Sequence, residues 1–256
     1  MRTINFSQIL FDAIQFSGND RHNINKETFA QFRDFCNFRL RESWEFQEWP
    51  DLCRVEQFTT QYDANGVGYF VPATDCGEVL SVFNLNPLLS SRAVGMTYQL
   101  YDNGTETRII LEKTTIEEGW YYYRTKVPSI NGEAYDSGVS YYPNSQMYFD
   151  SGSNTGTYAP VVGKPHTANF YTCLSITNAG ETPSSHPAKW SIVKIPYIFG
   201  PFLAWGATAN WFSSENLIQE AIVIEQKAQS MLDLETEKIA RQQNQIPKLK
   251  FTNPYR

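Results

Sequence analysis

From about residue 55 to residue 200 the chain is rich in Gly, Pro, Asn and Tyr, and no useful window there keeps helical periodicity. Helical patterning appears only on either side. Residues 6–16, FSQILFDAIQF, set Phe6, Ile9, Leu10, Ala13 and Ile14 on one face, and Gly18 is placed to stop the helix. A second helix opens after Asn25, its expected cap, and runs to about Phe46 with Phe29, Phe32, Cys36, Leu40 and Trp44 as its buried stripe. Pro50 keeps the preceding residue out of the helical region and ends it. Helix returns near Phe202, with Leu217, Ala221, Ile224, Ala228 and Met231 as one stripe. Ser213 or Ser214 is placed to cap its main segment, with a break after Trp211. Short helices cannot bury an apolar face alone, so both N-terminal helices are expected to pack on the C-terminal one.

Within the β-rich region, YQLYDNGTETRIILEK reads as a hairpin, two β-prone runs flanking Asn103-Gly104. CRVEQFTTQY and GWYYYRTKVP read as strands, and Asn131-Gly132 as a second turn. The expected fold class is α+β: a helical bundle from the N-terminal and C-terminal helices with a large all-β insert and an extended C-terminal tail. The expected divisions are 1–54 for the N-terminal helices, 55–200 for the insert with a small β module at 158–195, 201–243 for the long helix, and 244–256 for the tail.

Hydrophobic residues make up 41% and charged residues 19%, a folded composition. A net charge of −6 argues against broad binding to nucleic acid or anionic membrane. No apolar run approaches the roughly 18 residues of a membrane span, and the N-terminus does not read as a signal peptide. The expectation is a protein made in the cytoplasm, with no membrane partner. Cys36, Cys53, Cys76 and Cys173 form no close pair, so free thiols are expected and a zinc site is not.

Little in the sequence points to catalysis. His22, His166 and His186 lack partners at metal or acid–base spacing, and no GxSxG elbow or phosphate loop occurs. The loop Asp150–Gly156 lacks the second and third acids of a calcium loop, so a surface loop is expected. Glu117-Glu118 and Glu106 with Glu112 are the carboxylates a glycosidase reading would need, and exposed hairpin acids are the default. No catalytic residue, metal or cofactor is assigned.

Two resemblances add to this. Residues 158–195 are similar to the short β module of chitin- and cellulose-binding domains and of phage virion proteins, on Tyr158, Gly163, Tyr171, Pro183 and Trp190. That likeness implies sugar stacking by Tyr158, Tyr171 and Trp190, although the same aromatics suit the module's own core. Across the chain, RLRESWEFQEWPDLCRVEQ (39–57), the β-rich middle, KWSIVKIPYIFGPFLAWGATANWF (189–212) and the closing helix with its basic tail resemble the head-to-tail adaptors of tailed phages. That resemblance implies a non-enzymatic virion protein in the neck. It would form a ring of about twelve copies, the symmetry following the family's pattern, and touch the portal protein and other neck or tail proteins. Genomic DNA would pass through its lumen without specific binding. The two sticky surfaces of such a ring are expected on the N-terminal helices with the WEFQEW corner, and on the long helix.

The tail sharpens this expectation. Pro247 and Pro254 forbid a continuous helix. Leu249, Phe251 and Tyr255 are apolar anchors, while Lys248, Lys250 and Arg256 suit an acidic groove on the portal or a neighbour. The alternative is a frayed end.

Overall fold

The computed structural model describes residues 2–102, 104–112, 116–160 and 166–242. The protein is α+β, with four α-helices and several small sheets among the described residues. It divides into two compact units, Trp44–Val127 and the remainder, Met1–Ser43 with Pro128–Arg256. The division differs from the sequence-based one: the second half of the expected insert groups with the helices, because its sheet supplies the apolar surface on which the N-terminal helices close.

In the discontinuous unit, helix α1 spans Phe6–Phe16, and α2, which spans Lys26–Glu45, lies there up to Ser43. The α1 stripe Phe6, Ile9, Leu10, Ala13 and Ile14 is buried, as is the whole α2 stripe from Phe29 to Trp44. Asn25 caps α2 through its Oδ1, which accepts from the Thr28 N–H at 2.8 Å. α1 ends in a Schellman motif: Asn19 N–H reaches Ile14 O and Gly18 N–H reaches Gln15 O, with Gly18 at φ +78°.

Helix α3 spans Gly200–Ser214 and α4 spans Ile218–Gln242. The expected break after Trp211 is therefore displaced, and Ser213 and Ser214 lie inside α3 and cap nothing. The break is a second Schellman motif, with Leu217 N–H on Phe212 O and Asn216 N–H on Ser213 O. Asn216 takes φ +61°, a left-handed conformation that Asn tolerates better than most residues. The N-terminal helices pack as expected on the C-terminal helical segment, and they meet its first part, α3. Phe16 stacks on Trp205 at 3.8 Å, Phe32 on Trp211 at 5.1 Å, and Thr208 Oγ1 donates to Ala13 O.

The same unit holds a four-stranded sheet ordered Glu133–Ala134, Gln146–Asp150, Ala168–Cys173, Trp190–Ile192. Tyr148 and Phe170 pair across it and face the helices, meeting Phe6 edge-on at 6.1 and 4.8 Å. Met147, Phe149, Cys173 and Trp190 make a second core on the opposite face. Asn131-Gly132 is not a turn. A Cβ on Gly132 would lie 2.7 Å from the Met147 backbone, so this glycine serves close strand approach, which sequence cannot distinguish from turn chemistry.

The continuous unit, Trp44–Val127, is two antiparallel four-stranded sheets. One is ordered Cys53–Thr59, Glu118–Thr125, Cys76–Phe83, Gly95–Met96. The other is ordered Gln61–Tyr62, Gly68–Phe70, Thr107–Leu111, Tyr98–Asp102. The expected hairpin is present, with Asp102 opposite Thr107 and Gly104 at φ +82°. Phe58 and Phe70, one from each sheet, stack at 4.0 Å in a core with Val79, Val82, Ile109, Leu111, Tyr121 and Tyr123. In the aromatic run Gly119–Tyr123, burial alternates: Tyr121 and Tyr123 point inward while Trp120 and Tyr122 are partly exposed.

Candidate functional site

The strands of the continuous unit bring together two carboxylates that no spacing in the sequence signals. Tyr123 Oη lies 2.9 Å from Glu56 Oε1 and 3.1 Å from Asp75 Oδ1, so one phenol proton serves both. Tyr121 Oη donates to Glu56 Oε2 at 2.9 Å and accepts from the Ala73 N–H. Arg54 pairs with Asp75 at 2.6 Å. Burial, helped by these acids, pushes both tyrosines well above the usual phenol range. They are therefore fixed donors that hold two partly buried acids, and Glu56 and Asp75 are engaged by them and by Arg54. The carboxylates singled out from sequence do not form this pair. Glu106 is held by Arg108 on its own hairpin, and Glu118 by Gln57 across the sheet.

A Ser–His–Glu arrangement lies in the loop before Trp190. Ser185 Oγ is 2.9 Å from His186 Nδ1, and His186 Nε2 is 3.7 Å from Glu181. Its geometry serves the loop. Ser185 and Thr182 form a reciprocal turn, and Lys189 Nζ, 2.6 Å from Glu181, holds that carboxyl down to about 2. The acid is thus spent on the lysine and on Asn178, and Ser185 sits on an exposed turn. His22, His166 and His186 are all exposed. Among the described residues no three His, Cys, Asp or Glu side chains could hold a metal ion. The four cysteines are free, Cys36 and Cys173 being buried. The Asp150 carboxylate organises its loop, accepting from Gly152 N–H, Ser153 Oγ and Thr167 Oγ1.

The fold separates the aromatic trio proposed for sugar stacking. Tyr158 lies on the helix-facing side, 4.3 Å from the Phe29 ring, and accepts from the Ala134 N–H. Tyr171 and Trp190 belong to the opposite core, where Trp190 is 6% exposed and meets Tyr141 edge-on at 5.4 Å. They form no common platform, and packing explains the motif. Gly163 lies outside the described residues.

Two surfaces are open and apolar. On α4, Ala221, Ala228 and Leu232 are buried, while Leu217, Ile218, Ile222, Val223 and Leu234 are exposed at or beside the same helix. Ile218 and Ile222 line a shallow groove of about 260 Å³ with Ala209, Asn210 and Ser213 of α3. In the continuous unit, the loop between Phe83 and Gly95 carries Leu85, Leu88, Leu89 and Val94. Leu88 is 77% and Leu89 85% exposed. Of the stripe expected from periodicity, Ala221 and Ala228 are buried, Ile224 and Met231 are half-buried and Leu217 is exposed, while the exposed Ile218, Ile222, Val223 and the loop leucines carry no periodic signal. The WEFQEW corner is not the surface expected, since Trp44 and Trp49 are buried and only Phe46 among its aromatics is exposed. The tail residues Pro247, Lys248, Leu249, Lys250, Phe251, Pro254, Tyr255 and Arg256 lie outside the described residues, as does Asn103. Among the described residues no helix is long and apolar enough to cross a membrane.

The chain matches no protein-family model, and a search of curated proteins finds no match.

Proposed function

We propose that the chain is a structural virion protein of a tailed phage, a head-to-tail adaptor that forms a ring below the portal and joins it to the neck or tail, without catalysis. The observation that carries this reading is a pair of unlike apolar surfaces, the Leu88-Leu89 loop on one unit and the exposed α4 face on the other. A closed ring of identical subunits needs two different complementary patches, whereas a two-fold dimer needs one. Soluble monomers seldom leave such patches uncovered. The commitment of each polar constellation to local structure supports a scaffold over an enzyme. The basic tail, residues 247–256, is assigned to the portal or a neighbouring copy on its sequence alone.

Electron microscopy of the purified protein and of virions is the test, together with a chain ending at Ile246. The reading expects closed rings and particle incorporation, with the shortened chain folded but unable to assemble. A strictly monomeric protein absent from particles overturns it.

A further inference from the structure

Ser7 on α1 and Tyr148 on the strand Gln146–Asp150 are both 0% exposed, and among the described residues neither hydroxyl has a hydrogen-bond partner. Buried polar groups are rarely left so, because each has given up its water without replacement. Both residues line one small cavity with Asp150, Thr157, His166 and Thr167. Its volume of about 10 Å³ matches a single water molecule, measured as the space open to a water-sized centre.

The chemistry of the lining decides what fits. Both hydroxyls carry a proton that needs an acceptor. The phenol of Tyr148 is firmly protonated, its acidity pushed down by burial and by the nearby Asp150 charge. Asp150 Oδ1 already accepts from Gly152 N–H at 3.0 Å and Thr167 Oγ1 at 2.5 Å, while among the described residues Oδ2 accepts from Ser153 Oγ alone. A metal ion would take lone pairs and leave both hydroxyl protons unserved. A water can accept from both hydroxyls and still donate to the carboxylate.

We infer that this cavity is a binding site for one structural water, which accepts from Ser7 Oγ and Tyr148 Oη, donates towards Asp150, and fastens α1 to the sheet. Such a water is as much a part of the fold as a side chain.

A crystal structure fine enough to show ordered solvent reads the site directly. One spherical peak within hydrogen-bond distance of both hydroxyls is the expected result. Ser7→Ala, Tyr148→Phe and the double variant then give a thermal cycle. Each single change is expected to lower the unfolding midpoint by about 2–4 °C. The double variant should lose less than the sum, since the first change already strips the water of an acceptor role. A site filled by a side chain or by a metal ion overturns the inference. So do strictly additive effects, or variants as stable as the parent.

Discussion

Arg39 on α2 and Glu225 on α4 meet in a two-pronged ion pair, one prong at 2.8 Å, that also gathers Asn210 of α3 at 2.8 Å and Glu42 at 3.0 Å. The guanidinium side chain is only 7% exposed, and among the described residues its Nε has no partner. Removing one member of a buried pair strands the other, while Glu225 keeps some contact with water. Arg39→Ala is therefore expected to cost about 2–4 kcal/mol in urea unfolding, with Glu225→Gln costing clearly less. An Arg39→Ala protein as stable as wild type would show that the three helices hold together without this link.

The same arginine explains a glycine inside a helix. A Cβ on Gly206 of α3 would lie 2.8 Å from Arg39 Cδ and 2.9 Å from its Nε. The four hydrogen bonds on the guanidinium leave the side chain little room to move. Gly206→Ala should destabilise the protein despite its better helix propensity. In the Arg39→Ala background the same change should turn neutral or favourable, and purely additive effects would contradict the steric account.

Alkaline pH should weaken the fold before it breaks it. Burial pushes the Cys36 thiol from 9.0 up to about 12. An acidic group whose folded value is raised favours folding fully below its unfolded value, and the benefit is lost as pH rises through the folded one. The urea midpoint should therefore hold to about pH 9 and fall steadily towards pH 12. Cys36→Ala should flatten the first part of that fall. Equal slopes in the two proteins would remove Cys36 as its cause.

Association should respond to either apolar surface without a stability cost. Leu88→Ser with Leu89→Ser, and separately Ile222→Asp, are expected to shift the mass measured by light scattering towards monomer. The unfolding free energy should stay within about 0.5 kcal/mol of the parent, as for ordinary surface changes. If both variants assemble like the parent, neither surface is an interface.

Trp190→Ala should act as a core deletion, costing about 3–5 kcal/mol. The parent should show no retention on chitin or cellulose. Retention that disappears in the Trp190 variant while the fold survives would restore a sugar-binding role.

The sequence was legible wherever local chemistry decided the outcome. α1, the cap at Asn25, the α2 stripe and the Asn103-Gly104 hairpin all follow from short-range pattern. It misled where one residue type has two uses. Asn216 and Gly18 end helices through the same motif, but only the glycine reads as a stop, so the α3–α4 break was expected at a serine. Gly132 looked like a turn and serves close strand packing. Trp44 and Trp49 are conspicuous in sequence, yet they point inward. The Glu56–Tyr123–Asp75 cluster and the Arg39 link join residues distant in sequence, and no local pattern announces them.

The strands that open and close the continuous unit lie side by side, Cys53 facing Arg124, and Trp44 Nε1 donates to Thr125 O at 2.8 Å. The polypeptide thus leaves and re-enters at neighbouring points, as it does in domains that tolerate being moved between hosts. Residues 44–127 have the form of a cassette. Excised, they should fold on their own, and a short linker in their place should let the remaining chain close, making this the segment a lineage can exchange without rebuilding the helices.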